Sequence, residues 1–182
     1  MRTVPMLRPA AGAALAGLAT ATLLITPGAA QAAPKGPDPV IQGCPSEHTY
    51  GSITNQGQVH YRVGPGYQNY NGTNSTATVK LTATVAGTVG YSLSSTASVK
   101  VDVIVAGVEG SLGVNVSTSL TASVTNEISL TARPKTYVYG DYGVWRQKSK
   151  GLYGIMQQSC NVQSSWITSY MPARVGWNTW GG

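Results

Sequence analysis

The odd-numbered positions from 77 to 105 are apolar with two interruptions, Gly87 and Ser95, and the even positions between them are nearly all Thr, Ser, Gly or charged. A period of two held over so long a run, without proline, marks extended backbone with one apolar and one polar face. On the return the parity flips: Leu112, Val114, Val116, Leu120, Ala122, Val124, Ile128 and Leu130 carry the apolar face, with Ser and Thr filling most positions between. Such a flip is what an antiparallel hairpin requires when paired positions sum to an odd number. Centring the return on Val108 and Glu109 pairs Val105 with Leu112, Val103 with Val114 and Val101 with Val116, and places Gly107 and Gly110 at the loop. The pattern therefore predicts an amphipathic hairpin over residues 97–116, with Val99, Val101, Val103, Val105, Leu112, Val114 and Val116 on its apolar face.

As a single strand the outward run would span roughly 95 Å, whereas ordinary strands have about five or six residues. Either it breaks into several hairpins, at Gly87 and Gly90, or the sheet is elongated. No proline, Asn-Gly or Asp-Gly punctuates residues 77–106, which favours the elongated form. Beyond Pro134 the pattern changes again, to short strands and loops rich in Tyr and Trp, from Tyr137 to Trp180. The expected class is all-β: an elongated antiparallel sheet or sandwich with long Ser/Thr-rich strands, an amphipathic hairpin and one disulfide.

The N-terminus changes the picture of where this sheet works. Arg2 and Arg8 precede an alanine- and leucine-rich stretch over residues 10–25, Pro27 ends it, and Ala30-Gln31-Ala32 forms a small-residue cleavage site. Residues 1–32 read as a secretory signal peptide cleaved after Ala32, so the protein is expected to be secreted. Residues 33–43 read as an extended, proline-rich arm in which Pro34, Pro37, Pro39, Val40 and Ile41 are candidates for docking on a partner. Residues 44–182 then form one domain. The two cysteines, Cys44 and Cys160, bracket it, and in an oxidising compartment they are expected to bond to each other.

Charge and side-chain chemistry argue against several functions. The formal net charge is +6 including the leader, mildly basic, with Lys and Arg that read as scattered, so no nucleic-acid partner is expected. The acids Asp38, Glu47, Asp102, Glu109, Glu127 and Asp141 show no paired spacing, and His48 and His60 are the sole histidines. No HExxH, GxSxG or Cys/His ligand cluster is present; neither an enzyme nor a cofactor or metal site is expected. The Tyr and Trp residues suit a sugar-stacking site, a membrane-interface belt or a protein interface, without a site motif to choose among them. The alternating valines have two readings of their own. They either face a sandwich core or face lipid, since a transmembrane strand needs about 9–11 alternating residues.

Four consecutive stretches, NSTATVKLTATVAGTVGYSLS, ASVKVDVIVAGVEGSLGVNV, STSLTASVTNEISLTA and RPKTYVYG, together resemble the aerolysin-like β-pore-forming toxins, in particular the epsilon-toxin branch. The resemblance covers about residues 74–140 and rests on pattern, a long alternating strand, a small amphipathic hairpin, a Ser/Thr-rich return strand and a proline-marked step. It implies a non-enzymatic protein that assembles into a homo-oligomeric ring and releases residues 97–116 to complete a barrel through a target-cell membrane. No separate receptor-binding domain precedes the long strand, so a target membrane or surface glycan would be met by the aromatic C-terminal part or by a partner subunit. The alternative is a structural or adaptor subunit of a secreted multi-protein particle, docking other secreted subunits through its arm and β-domain.

Overall fold

The structure, a computed structural model, describes residues 43–95, 98–123 and 125–181. The expected signal peptide, the candidate docking arm with Pro34, Pro37, Pro39, Val40 and Ile41, and the positions Thr96, Ala97 and Val124 lie outside the described residues. In chain order the elements are β1 (His48–Tyr70), β2 (Ala77–Ala83), β3 (Gly87–Gly90), β4 (Ser92–Leu93), α1 (Val101–Leu112), β5 (Ser119–Ala122), β6 (Asn126–Ala132), β7 (Tyr137–Met156) and β8 (Val162–Gly181). The fold is all-β with one helix.

Three long antiparallel strands carry it, in a sheet of order β1-β7-β8-β4. At 20 residues, β7 runs for roughly 65 Å. It pairs with β8 from Val138–Gly181 to Met156–Val162 and, on its other side, with β1 from His48–Ile155 to Tyr70–Tyr137. The segment between β1 and β7 leaves this sheet as a two-stranded ribbon, β2 against β6 and then β3 against β5. Both parts keep one register: Ala77 faces Ala132, Ala83 faces Asn126, Gly87 faces Ala122 and Gly90 faces Ser119. The alternating run is thus broken after Ala83 and again after Gly90 rather than forming one strand.

The alternation on β7 shows where the ribbon goes. Near its start Val138, Tyr142 and Val144 are buried, packed in clusters with Val79, Ala83, Val89, Ala122 and Ala132 of the ribbon. Toward its end the opposite parity is buried, Gln147, Ser149 and Tyr153. The insertion therefore covers one sheet face at one end and the other face at the other end. It passes the β8 edge on the way. There Ser92 pairs with Tyr170, Leu93 pairs with Ser169, and the Ser117 amide donates to the Pro172 carbonyl at 2.8 Å.

Edge strand β1 pairs irregularly with β7 at three places, between Gly51 and Thr54, Asn55 and Gln58, and Arg62 and Gly66. Ser52, Gly57 and Gly64 take positive φ in or beside these bulges. Bulges of this kind bend an edge and hinder edge-to-edge pairing. Opposite β1, Gly143 allows a close approach: a Cβ there would overlap the Tyr61 carbonyl. Gly143→Ala is expected to cost about 1–3 kcal/mol, as overpacking does, and to lower Tm by roughly 3–10 °C in a thermal melt.

Where the ribbon leaves and rejoins the sheet, Asn71 is the pin. It is buried, and its Nδ2 donates to the carbonyls of Ser75, Ala132 and Arg133 at 2.8, 3.0 and 3.0 Å. Its Oδ1 accepts from the Thr73 amide and hydroxyl. Asn71 lies in an N-x-T sequon, but in the folded chain that nitrogen is fully engaged. On the ribbon's polar side Lys80 meets Glu127 at 2.8 Å. That hydrogen bond, then the opposite charge, holds Glu127 below the usual carboxylate range and Lys80 above the usual lysine range. Glu127 then contributes above its unfolded pKa, fading as pH falls through the lowered value. The contribution of Lys80 fades as pH rises through its raised one. Both groups are solvent-exposed, so Glu127→Gln is expected to leave Tm at neutral pH nearly unchanged.

Candidate functional site

The expected hairpin is a helix. Residues Val101–Leu112, which include the proposed Gly107–Gly110 loop, form α1, and the pairings Val105–Leu112, Val103–Val114 and Val101–Val116 are not made. The reason is packing. Ile104 and Val108, both fully buried, join Tyr50, Tyr153, Ile167 and Met171 in the largest core cluster. In the strand pattern Ile104 sits on the polar side and Val108 in the loop. On a helix they align with Val101, Val105 and Leu112 in one stripe, the spacing that a sheet face can cover. Val99, Val101, Val103, Val105, Leu112, Val114 and Val116 all pack against that same core, so every apolar residue assigned to the hairpin is brought together, on protein rather than on lipid.

Few local devices hold α1. Its N-cap, Lys100, makes no side-chain capping bond, and its end is closed by Gly113 at φ 64°, whose amide donates to the Glu109 carbonyl. The Lys100 amide donates to the Tyr153 hydroxyl at 2.7 Å, and that hydroxyl lies 2.8 Å from Nδ1 of His48. At the far end Glu109 Oε1 accepts from the Val116 amide at 3.1 Å. Tyr153→Phe removes the first of these ties, leaving a part-buried amide without its acceptor. It should cost about 1–2 kcal/mol and speed hydrogen exchange in the first turn of α1.

A second surface was not foreseen. Arg146, Lys148 and Lys150 occupy alternate positions of β7 and so share one sheet face, where Arg146 also donates to the Ser92 hydroxyl at 3.2 Å. They interleave with aromatic rings: Arg146 lies 4.8 Å from the Tyr61 ring and 5.2 Å from that of Tyr170, Lys148 5.7 Å from Tyr170 and Lys150 5.6 Å from Trp166. Trp166 is 55% exposed and Tyr61 49%. Among the described residues the carboxylate ion pairs are those of Arg62 and Lys80, and none meets this array. The cations that read as scattered are therefore clustered, and the R-x-K-x-K spacing in a strand was the signal that could have found them.

The remaining chemistry-bearing groups are dispersed. His60 Nε2 lies 3.2 Å from the Gly176 carbonyl, and Asp141 Oδ1 lies 3.5 Å from Arg62. Among the described residues no three His, Cys, Asp or Glu side chains gather as metal ligands would. Cys44 and Cys160 are bonded to each other, tying the chain before β1 to the β7–β8 turn. No helix of the described residues is long and apolar enough to cross a membrane, which does not bear on crossing by strands. The fold and site thus define an all-β, disulfide-bonded protein whose Ser/Thr-rich ribbon ends in a helix tucked on its own sheet. No family model matches the chain, and no curated protein does either.

Proposed function

We propose that this is a secreted, non-enzymatic protein that acts on membranes by assembling and refolding α1 with its flanks into a strand hairpin, as the aerolysin-like pore formers it resembles would do. The observation that carries this reading is the conflict inside α1. Five of its twelve residues are Val or Ile and two are Gly, types that disfavour helix. An isolated helix of that length is marginal even with good formers. It persists because the sheet buries Ile104 and Val108, and a segment whose local preference opposes its packed state is poised to change when that packing is lost.

The ribbon supplies the template. Its register, carried past Gly90–Ser119, would set Leu93 opposite Val116 and Val101 opposite Val108, with the tip at Ile104 and Val105. Apolar and polar residues would then segregate to opposite faces, as a barrel strand requires. The basic–aromatic array on β7 and β8 suits first contact with an anionic headgroup layer, where each Lys or Arg is worth about 1 kcal/mol.

The test is release of dye from liposomes by purified mature protein, with particle mass and infrared amide bands recorded before and after. Leakage, a rise to oligomer mass and conversion of helix to strand signal are expected. Protein that stays monomeric and releases no dye from either anionic or neutral vesicles would end this reading. Lys148→Ala with Lys150→Ala should weaken binding to anionic vesicles roughly thirtyfold, about 2 kcal/mol, with Tm unchanged.

A further inference from the structure

At the β1–β7–β8 end opposite α1, one sheet face is left open, and a slot of about 320 Å³ lies on it. Its walls come from successive cross-strand rows. Gln68, Tyr139 and Trp180 stand opposite one another in one row, and Gly66 and Asp141 in the next. The Tyr139 and Trp180 rings stack on each other, 10° from parallel with centroids 5.9 Å apart, and the half-exposed Trp180 forms an aromatic wall of the slot. Facing it are Asp141 and Arg62, 3.5 Å apart. The paired charges leave the slot without net charge. Asp141 Oδ1 is buried and accepts no hydrogen bond from the protein.

The floor is open because residue 66 is glycine. A Cβ there would come within 3.1 Å of Asp141 Oδ1 and 3.4 Å of the Arg62 guanidinium. The bulge between Arg62 and Gly66 is what brings the Arg62 side chain beside Asp141 across the edge of the sheet.

We infer that this slot binds a neutral pyranose unit of a glycan. A pyranose has an apolar C–H face and a rim of hydroxyls, and the slot offers a partner to each. The exposed Trp180 ring, backed by Tyr139, suits the face. The Asp141 carboxylate accepts from hydroxyls, the Arg62 guanidinium donates to them, and the Gln68 amide does both. An anionic sugar is disfavoured, because the one cation present is already opposed by a carboxylate. The volume is at the small end of ligand sites, enough for one or two rings. This site lies apart from α1 and from the basic array, and it stands whether or not the protein opens membranes.

The experiment is a screen of mature protein against an array of neutral glycans. Hits are followed by calorimetry and tryptophan fluorescence, with heparin as the anionic probe and adenosine as the planar aromatic one. At least one neutral glycan is expected to bind. Trp180→Ala and Gly66→Val, one removing the wall and the other filling the floor, should each weaken binding tenfold or more. Both positions lie at the exposed end of the sheet, and the melts of both variants should match the parent. No neutral glycan bound at millimolar concentration, binding of heparin or adenosine alone, or glycan binding unchanged in folded Gly66→Val protein would each overturn the assignment. None of these outcomes touches the leakage reading, which is measured on glycan-free liposomes.

Discussion

Oxidised protein carrying Gly107→Cys and Ile53→Cys should bind anionic vesicles as the parent does and release no dye. A Cβ placed on Gly107 would lie 3.2 Å from the Ile53 Cδ1 atom, so the two positions meet where α1 crosses β1. A disulfide between them, confirmed by non-reducing peptide mapping, ties the middle of the helix to the sheet. Refolding of residues 98–116 into a hairpin must break that contact, and a covalent link forbids it. Reductant should restore leakage, measured against parent protein treated identically, because the native Cys44–Cys160 bond is also exposed to reductant. Full leakage from the oxidised variant would remove α1 from the mechanism.

A graded companion uses Gly110, where an added Cβ meets nothing within 4 Å. Gly110→Ala should stabilise α1 by about 0.5–1 kcal/mol and slow leakage roughly two- to fivefold while raising Tm. Opposite signs for stability and rate distinguish a helix that must open from one that merely supports the fold.

The largest effect on stability should follow from replacing Cys44 and Cys160 together by serine. Their bond closes a loop with a sequence separation of 116, which in the chain-entropy model restrains the unfolded chain by about 4–5 kcal/mol. For a domain of this size Tm should fall by roughly 10–20 °C. The local backbone ties beside the bond, Cys44 amide to Gln158 carbonyl at 3.2 Å and Met156 amide to Glu47 carbonyl at 2.8 Å, do not replace it, since they break on unfolding. A Tm change below about 3 °C would show that the unfolded chain is held compact by other means.

Several features were legible before any coordinates. Alternation identified the ribbon strands correctly: Val79, Leu81 and Ala83 point inward on β2, as do Ala122 and Ala132 on the return. The parity flip announced their antiparallel pairing, and two cysteines in a chain expected to be secreted announced the disulfide. The mirror point was misplaced by four residues. Glycines at 107 and 110 looked like loop chemistry, whereas the ribbon's register centres on Ile104 and Val105. The overlooked signal was Ile104, an apolar residue at an even position of the outward run, which breaks the period of two and completes a helical stripe with Val108. The slot was less accessible, because Arg62, Asp141 and Trp180 belong to three different strands.

What this sequence determines alone is whatever depends on neighbours along the chain: which segments extend, which face of each is apolar, and that the two ends of the domain are tied. What only the tertiary structure decides is the state of Val101–Leu112 and the company each exposed side chain keeps. That segment carries both a strand pattern and a helical stripe, and its Val, Ile and Gly residues by themselves disfavour the helix. The concave apolar surface of Tyr50, Tyr153, Ile167 and Met171, assembled from three distant strands, tips the balance toward the helix.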